Sequence, residues 1–130
     1  MKLALDTNGY VAFCKGEKKA IEVLAAAHSL LFPFICVAEL RAGFLGGKKS
    51  LQNEHYLVKF LNSPRVTVLF ADEQTTHHYA RIFVQLKKQG TPIPTNDLWI
   101  AALALQHDVP LFTLDSHFEH LPQIAKISNI

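Results

Sequence analysis

The sequence predicts an α/β fold in three layers, with a central parallel sheet of four to five strands between helices. Three observations lead there. Short apolar runs that read as strands alternate along the chain with segments whose apolar residues recur at helical spacing. The connection between successive runs holds a helical segment, as a parallel crossover requires. The 130 residues, 49% hydrophobic, suffice for one core and not for two, so residues 1–130 read as a single domain.

Lys2-Leu3-Ala4-Leu5 is a short apolar run entering Asp6-Thr7-Asn8-Gly9, a buried strand that ends in a polar turn or helix cap. Residues 17 to 27 carry Ala20, Ile21, Val23, Leu24 and Ala27 on one helical face. Leu30-Leu31-Phe32 is a second strand, and Pro33 opens a helix that should stop at Gly43. A further helix runs from Lys48 to Leu61 with Leu51, His55, Val58 and Leu61 as its stripe, closed by Ser63-Pro64. Val66-Thr67-Val68-Leu69-Phe70 is the clearest strand by β-branching. Residues 73 to 89 form a helix ending at Gly90, followed by the stiff loop Thr91-Pro92-Ile93-Pro94. Asn96 or Thr95 then caps an apolar helix through Leu105. Leu111-Phe112-Thr113-Leu114 is a fourth strand ending at Asp115, and a weak fifth lies near Ala125 to Ile127.

Composition narrows the classes of function. Apolar stretches are broken by His, Pro or charge well short of the roughly 20 residues a membrane span needs. Asp6 interrupts the N-terminus before a signal-peptide core could form, which predicts a cytoplasmic protein. Cys14 and Cys36 lie in apolar contexts without CxxC spacing and read as buried packing residues. A formal charge of +2 is compatible with nucleic-acid binding without establishing it. Clusters at Lys15, Lys18 and Lys19, at Arg41, Lys48 and Lys49, and at Arg81, Lys87 and Lys88 are each most simply solvated surface.

Four of the eleven acids stand apart from the rest. Asp6 and Asp115 each follow a hydrophobic strand directly, at the carboxyl edge where open α/β sheets build their sites. Glu39 lies inside Ile35-Cys36-Val37-Ala38-Glu39-Leu40, and Asp97 opens the most apolar helix in the chain. Each alone has an ordinary reading: loop capping, a surface position on an amphipathic helix, or compensation of a helix dipole at about 0.3 to 1 kcal/mol. Jointly they come from elements that one parallel sheet brings to one rim. Like charges about 4 Å apart repel by roughly 4 kcal/mol at the effective dielectric of a protein surface, so such a cluster calls for a cation. Oxygen ligands suit magnesium or manganese. One or two such ions on a carboxylate rim activate water and stabilise charge on a phosphodiester, which predicts nuclease chemistry without a covalent nucleophile.

These residues also carry a family resemblance. Leu5-Asp6-Thr7-Asn8, Val37-Ala38-Glu39-Leu40-Arg41-Ala42-Gly43, Pro94-Thr95-Asn96-Asp97-Leu98-Trp99-Ile100-Ala101-Ala102 and Phe112-Thr113-Leu114-Asp115-Ser116-His117-Phe118 resemble, in order and spacing, the motifs of PIN-domain ribonucleases, especially the VapC toxins of bacterial toxin–antitoxin pairs. The resemblance spans essentially the whole chain. It implies that Asp6, Glu39, Asp97 and Asp115 hold one or two magnesium ions, with Thr7, Asn8 and Thr113 orienting the acids or their waters. It also implies cleavage of RNA, often transfer RNA, a homodimer, and a VapB-like antitoxin whose peptide crosses the active-site groove. Arg41, Lys48, Lys49 and His117 are the candidates for substrate contact. Trp99 departs from the pattern, standing where a smaller apolar residue is more usual.

Other readings fit less well. Gly43-Phe44-Leu45-Gly46-Gly47-Lys48-Lys49-Ser50 resembles a phosphate-binding loop, but Ala42 stands where the first Gly is needed and Lys49 where Ser or Thr is. Neither His77-His78 nor His117-x-x-His120 has the spacing of a helical zinc site. A receiver-like signalling domain wants paired acids after the first strand, where Asp6 stands alone. A PIN scaffold that binds RNA or protein without cutting is the remaining alternative, and the four intact acids argue against it.

Overall fold

The computed structural model describes residues 1–127. Five strands, β1 (Lys2–Leu5), β2 (Ser29–Pro33), β3 (Val66–Leu69), β4 (Leu111–Phe112) and β5 (Lys126–Ile127), form one sheet in the order β3-β2-β1-β4-β5. Every pairing is parallel. The α/β class with a central parallel sheet is therefore as predicted. The order differs from the 2-1-3-4-5 arrangement of receiver-like domains, which disposes of that alternative. Leu3, Ala4 and Leu5 of the central strand are at most 1% exposed, so both faces of β1 are covered.

The helices are α1 (Thr7–Cys14), α2 (Lys18–Ala26), α3 (Phe34–Leu45), α4 (Ser50–Leu61), α5 (Glu73–Gln89) and α6 (Thr95–Gln106), with a 3-10 turn at Ser116–His120. Helix α5 opens with a reciprocal cap between Asp72 and Thr75 and ends at Gly90, whose φ of 73° only glycine adopts without strain. One core joins β1, β2 and β4 to α1, α2, α3 and α6, with Phe32, Phe112 and Phe118 fully buried.

The helix-cap reading of Asp6 holds: it caps the full helix α1. Five local expectations need correction. Helix α3 runs through Gly43 to Leu45, because a lone glycine inside a packed helix costs only about 1 kcal/mol. In α4 the packed face is Leu57, fully buried, with Phe60 and Leu61 beside it, whereas Leu51 and Val58 are exposed. Thr95 is the first residue of α6 and Pro94 its cap, so neither Thr95 nor Asn96 caps it through its side chain. Cys14 is exposed; Cys36 is buried as expected. Strand β4 also leaves the sheet at Phe112, three residues before Asp115.

Candidate active site

The carboxyl ends of β1 and β4 lie side by side, with Ala4 paired to Leu111 and Leu5 to Phe112. The next residues on the two strands are Asp6 and Thr113, both buried. The Thr113 hydroxyl donates to Oδ2 of Asp6, while the Gly9 amide donates to Oδ1 at 2.8 Å. Gly9 permits that geometry because a Cβ there would lie 2.7 Å from Leu5 Cδ1, 3.0 Å from Phe112 Cδ2 and 3.2 Å from Asp6 Oδ1. The same Thr113 oxygen accepts from the Asp115 amide at 3.0 Å, so one hydroxyl ties the two strand-end acids together.

Asp115 caps the 3-10 turn, accepting from the His117 amide at 2.9 Å. The turn carries the His117 ring back over the rim, where Nδ1 lies 2.8 Å from Asp97 Oδ2 and 3.0 Å from Asp115 Oδ1. Asp97 stands in the first turn of α6 with its side chain 14% exposed. Glu39 comes from α3 and accepts from the Thr7 hydroxyl at 2.8 Å. Asn8 is exposed on the first turn of α1.

Burial dominates the electrostatics. It pushes the Asp6 carboxyl up to about 6, against the lowering effect of the Thr113 and Gly9 hydrogen bonds and with the charges of Asp115 and Asp97 adding to the rise. Burial likewise raises Asp97; the His117 hydrogen bond lowers it, and the Asp115 and Glu39 charges raise it further. His117 is raised, first by its hydrogen bond to Asp97 and then by the neighbouring Asp115 charge. The four acids thus fall within one field, although they come from β1, α3, α6 and the segment after β4. Among the described residues no lysine or arginine is ion-paired to any of them.

Arg41 is turned elsewhere, in a two-pronged pair with Glu54 at 2.9 and 3.0 Å. Lys48 and Lys49 are exposed between α3 and α4. Cys36, behind the site, is no nucleophile: burial pushes its thiol up to about 12, and the Asp6 and Glu39 charges add to the rise. What the sequence did not reveal is that His117 bridges Asp97 and Asp115; its only trace was a histidine two residues after a strand-end acid.

Asp97, Asp115 and His117 each offer one ligand atom, all within 4.8 Å of one another, and Asp6 is joined to the group through Thr113. The carboxylate oxygens, with no lysine or arginine paired to them among the described residues, fit a hard divalent cation. Such a site can neutralise an approaching phosphodiester.

Comparison with known proteins gives a family match and similar solved structures. The family model described as PIN domain matches residues 3–124. Ribonuclease VapC1 of Haemophilus influenzae is 38% identical over 113 residues, spanning 84% of this chain and 83% of that protein. Ribonuclease VapC5 of Mycobacterium tuberculosis is 26% identical over 126 residues, 97% of this chain and 92% of that one. A chain in the crystal structure of VapBC2 from Rickettsia felis, bound to a DNA fragment from their promoter, superposes with TM-score 0.85 at 29% identity, covering 98% of both chains. A chain in the structure of VapBC-1 from nontypeable Haemophilus influenzae gives TM-score 0.83 at 31% identity over 98% of this chain and 97% of that one.

Proposed function

We propose that this chain, which belongs to the PIN-domain family, is a magnesium-dependent endoribonuclease and the toxin of a toxin–antitoxin pair. The observation that carries the reading is the meeting of Asp97, Asp115 and His117 within 4.8 Å, beside a buried Asp6 with which they share a hydroxyl-mediated link. Asp6, Glu39, Asp97 and Asp115 would hold the metal. The bound ion, magnesium or in its place manganese, would supply Lewis acidity toward the scissile phosphodiester and its attacking water.

The rest of the chemistry belongs to the chain. Thr113 fixes the distance between the Asp6 and Asp115 segments, Thr7 holds Glu39, and Asn8 lies within the same helical turn. His117 touches two acids at once, so it either accompanies the cation or gives way to it, and it offers a donor to a phosphate oxygen. Lys48 and Lys49 supply positive charge toward the RNA backbone. Arg41 would have to leave Glu54 to do the same.

The relatives named VapBC pair such a chain with a second protein, which supports a VapB-like antitoxin as partner here. A homodimer, transfer RNA as target and a cytoplasmic location complete the reading; no helix among the described residues is long and apolar enough to cross a membrane.

The test is incubation of the pure protein with total RNA, with magnesium and with chelator. Cleavage is expected only with the metal, and Asp97→Asn should lower the rate by more than about a hundredfold, since even outer-sphere partners of a metal cost 10–100-fold when lost. Undiminished cleavage in chelator, or by the folded Asp97→Asn protein, would remove the metal-centred mechanism.

A further inference from the structure

The rim that carries the acids continues along the sheet, and the strand register shows how far. Ala4 is level with Leu31, and Pro33 with Leu69. Carried two residues onward, the same register sets Asp6 level with Pro33, hence with Leu69 two strands away. At about 4.8 Å per strand that row spans roughly 10 Å.

One residue past it, where β2 and β3 release the chain, stand Phe34 and Phe70. Their rings stack with centroids 6.1 Å apart and planes 21° from parallel. Phe34 is half-buried against the cluster of Leu31, Leu69 and Leu103, whereas Phe70 is 70% exposed. The core therefore holds the lower ring and leaves the upper one to solvent. From the other direction, Phe34 begins the helix that presents Glu39 five residues later, about 7.5 Å of helical rise.

An exposed ring on a fixed aromatic base offers a flat face for stacking, and its place on the same rim as the acids, two strands from Asp6, suggests a use. The acid cluster repels nucleic-acid backbone wherever it is not neutralised, so affinity for a single strand has to come in part from uncharged contacts. Proteins that handle unpaired RNA obtain it by stacking splayed bases on aromatic side chains. Resting on the ribonuclease reading above, we propose that Phe70, backed by Phe34, is a stacking platform for an unpaired base of the RNA strand at a distance along the rim from the scissile phosphate. The platform selects single-stranded or looped RNA over duplex, because a paired base has no free face to offer.

The experiment measures single-turnover cleavage of total RNA against enzyme concentration for the wild type and for Phe70→Ala, Phe70→Leu and Phe70→Trp, with melting curves to verify folding. The alanine variant should need about ten- to hundredfold more enzyme for half-maximal rate, the loss of one base–aromatic stack, while its maximal rate stays within about twofold. Tryptophan should restore half-saturation and leucine should not. Unchanged half-saturation for Phe70→Ala overturns the proposal, as would full rescue by leucine, which would make the contact merely apolar. If the wild type itself leaves RNA intact in magnesium, the ribonuclease reading fails first and takes this one with it.

Discussion

Asp6 is held at 3% exposure between a hydroxyl and an amide, with two further acids near enough to raise its proton affinity. Its folded value of about 6 lies above the ordinary 3.8, so between those values the native state binds more protons than the unfolded chain. Stability of the metal-free protein is accordingly lost, not gained, as pH rises through that window. Asp6→Asn should stabilise the chelated protein by roughly 1–3 kcal/mol near neutral pH, with the advantage shrinking toward pH of about 4. Denaturant melts in chelator across that range check it; an advantage independent of pH would point to packing instead. Thr113→Val keeps the volume and removes the hydroxyl that Asp6 and the Asp115 amide share, so the magnesium-dependent rate should fall by about 10–100-fold while the fold remains. A rate within about twofold of wild type would show that the acids position themselves. The four acids stood out as candidates in the sequence because each interrupts or ends an apolar run, and the structure brings Asp97 and Asp115 within reach of one ion. The bridging role of His117 was not legible, since its contact with Asp97 spans 20 positions and depends on how a short turn folds back.

Strands and long helices were readable from periodicity alone: β1, β2 and β3, and helices α2, α5 and α6, lie within a few residues of their expected bounds. The failures are local ambiguities that packing resolves. In α4, two helical rows are about equally apolar, and only the packing of its Phe60 against the Tyr10 and Phe32 rings decides which turns inward. Leu57→Ala should therefore cost about 2–5 kcal/mol and the equally conservative Leu51→Ala no more than about 0.5 kcal/mol, by denaturant melts. The reverse order would mean that α4 sits rotated on the core. In α1, the close approach of Gly9 to Leu5 and Phe112 leaves no room for a methyl group. Gly9→Ala should lower stability by about 1–3 kcal/mol despite its better helix propensity, and should weaken the amide bond to Asp6 along with it.

For the molecule as a whole, metal and fold are linked. A cation that binds only the assembled rim adds stability by mass action, about 2.7 kcal/mol at a hundred times its dissociation constant, so millimolar magnesium should raise the melting temperature and Asp97→Asn should abolish the rise. A melting temperature indifferent to magnesium would argue against a preformed site. The sheet order has a consequence in time as well. Asp6 and Thr113 stand 107 positions apart in the chain and meet only when β4 docks beside β1. Long-range pairing of this kind has its loop-closure entropy to overcome before it is rewarded, so it is expected late in folding. A nascent or partly unzipped copy therefore carries its acids separately, and on the proposed chemistry it is harmless to RNA until β4 is seated.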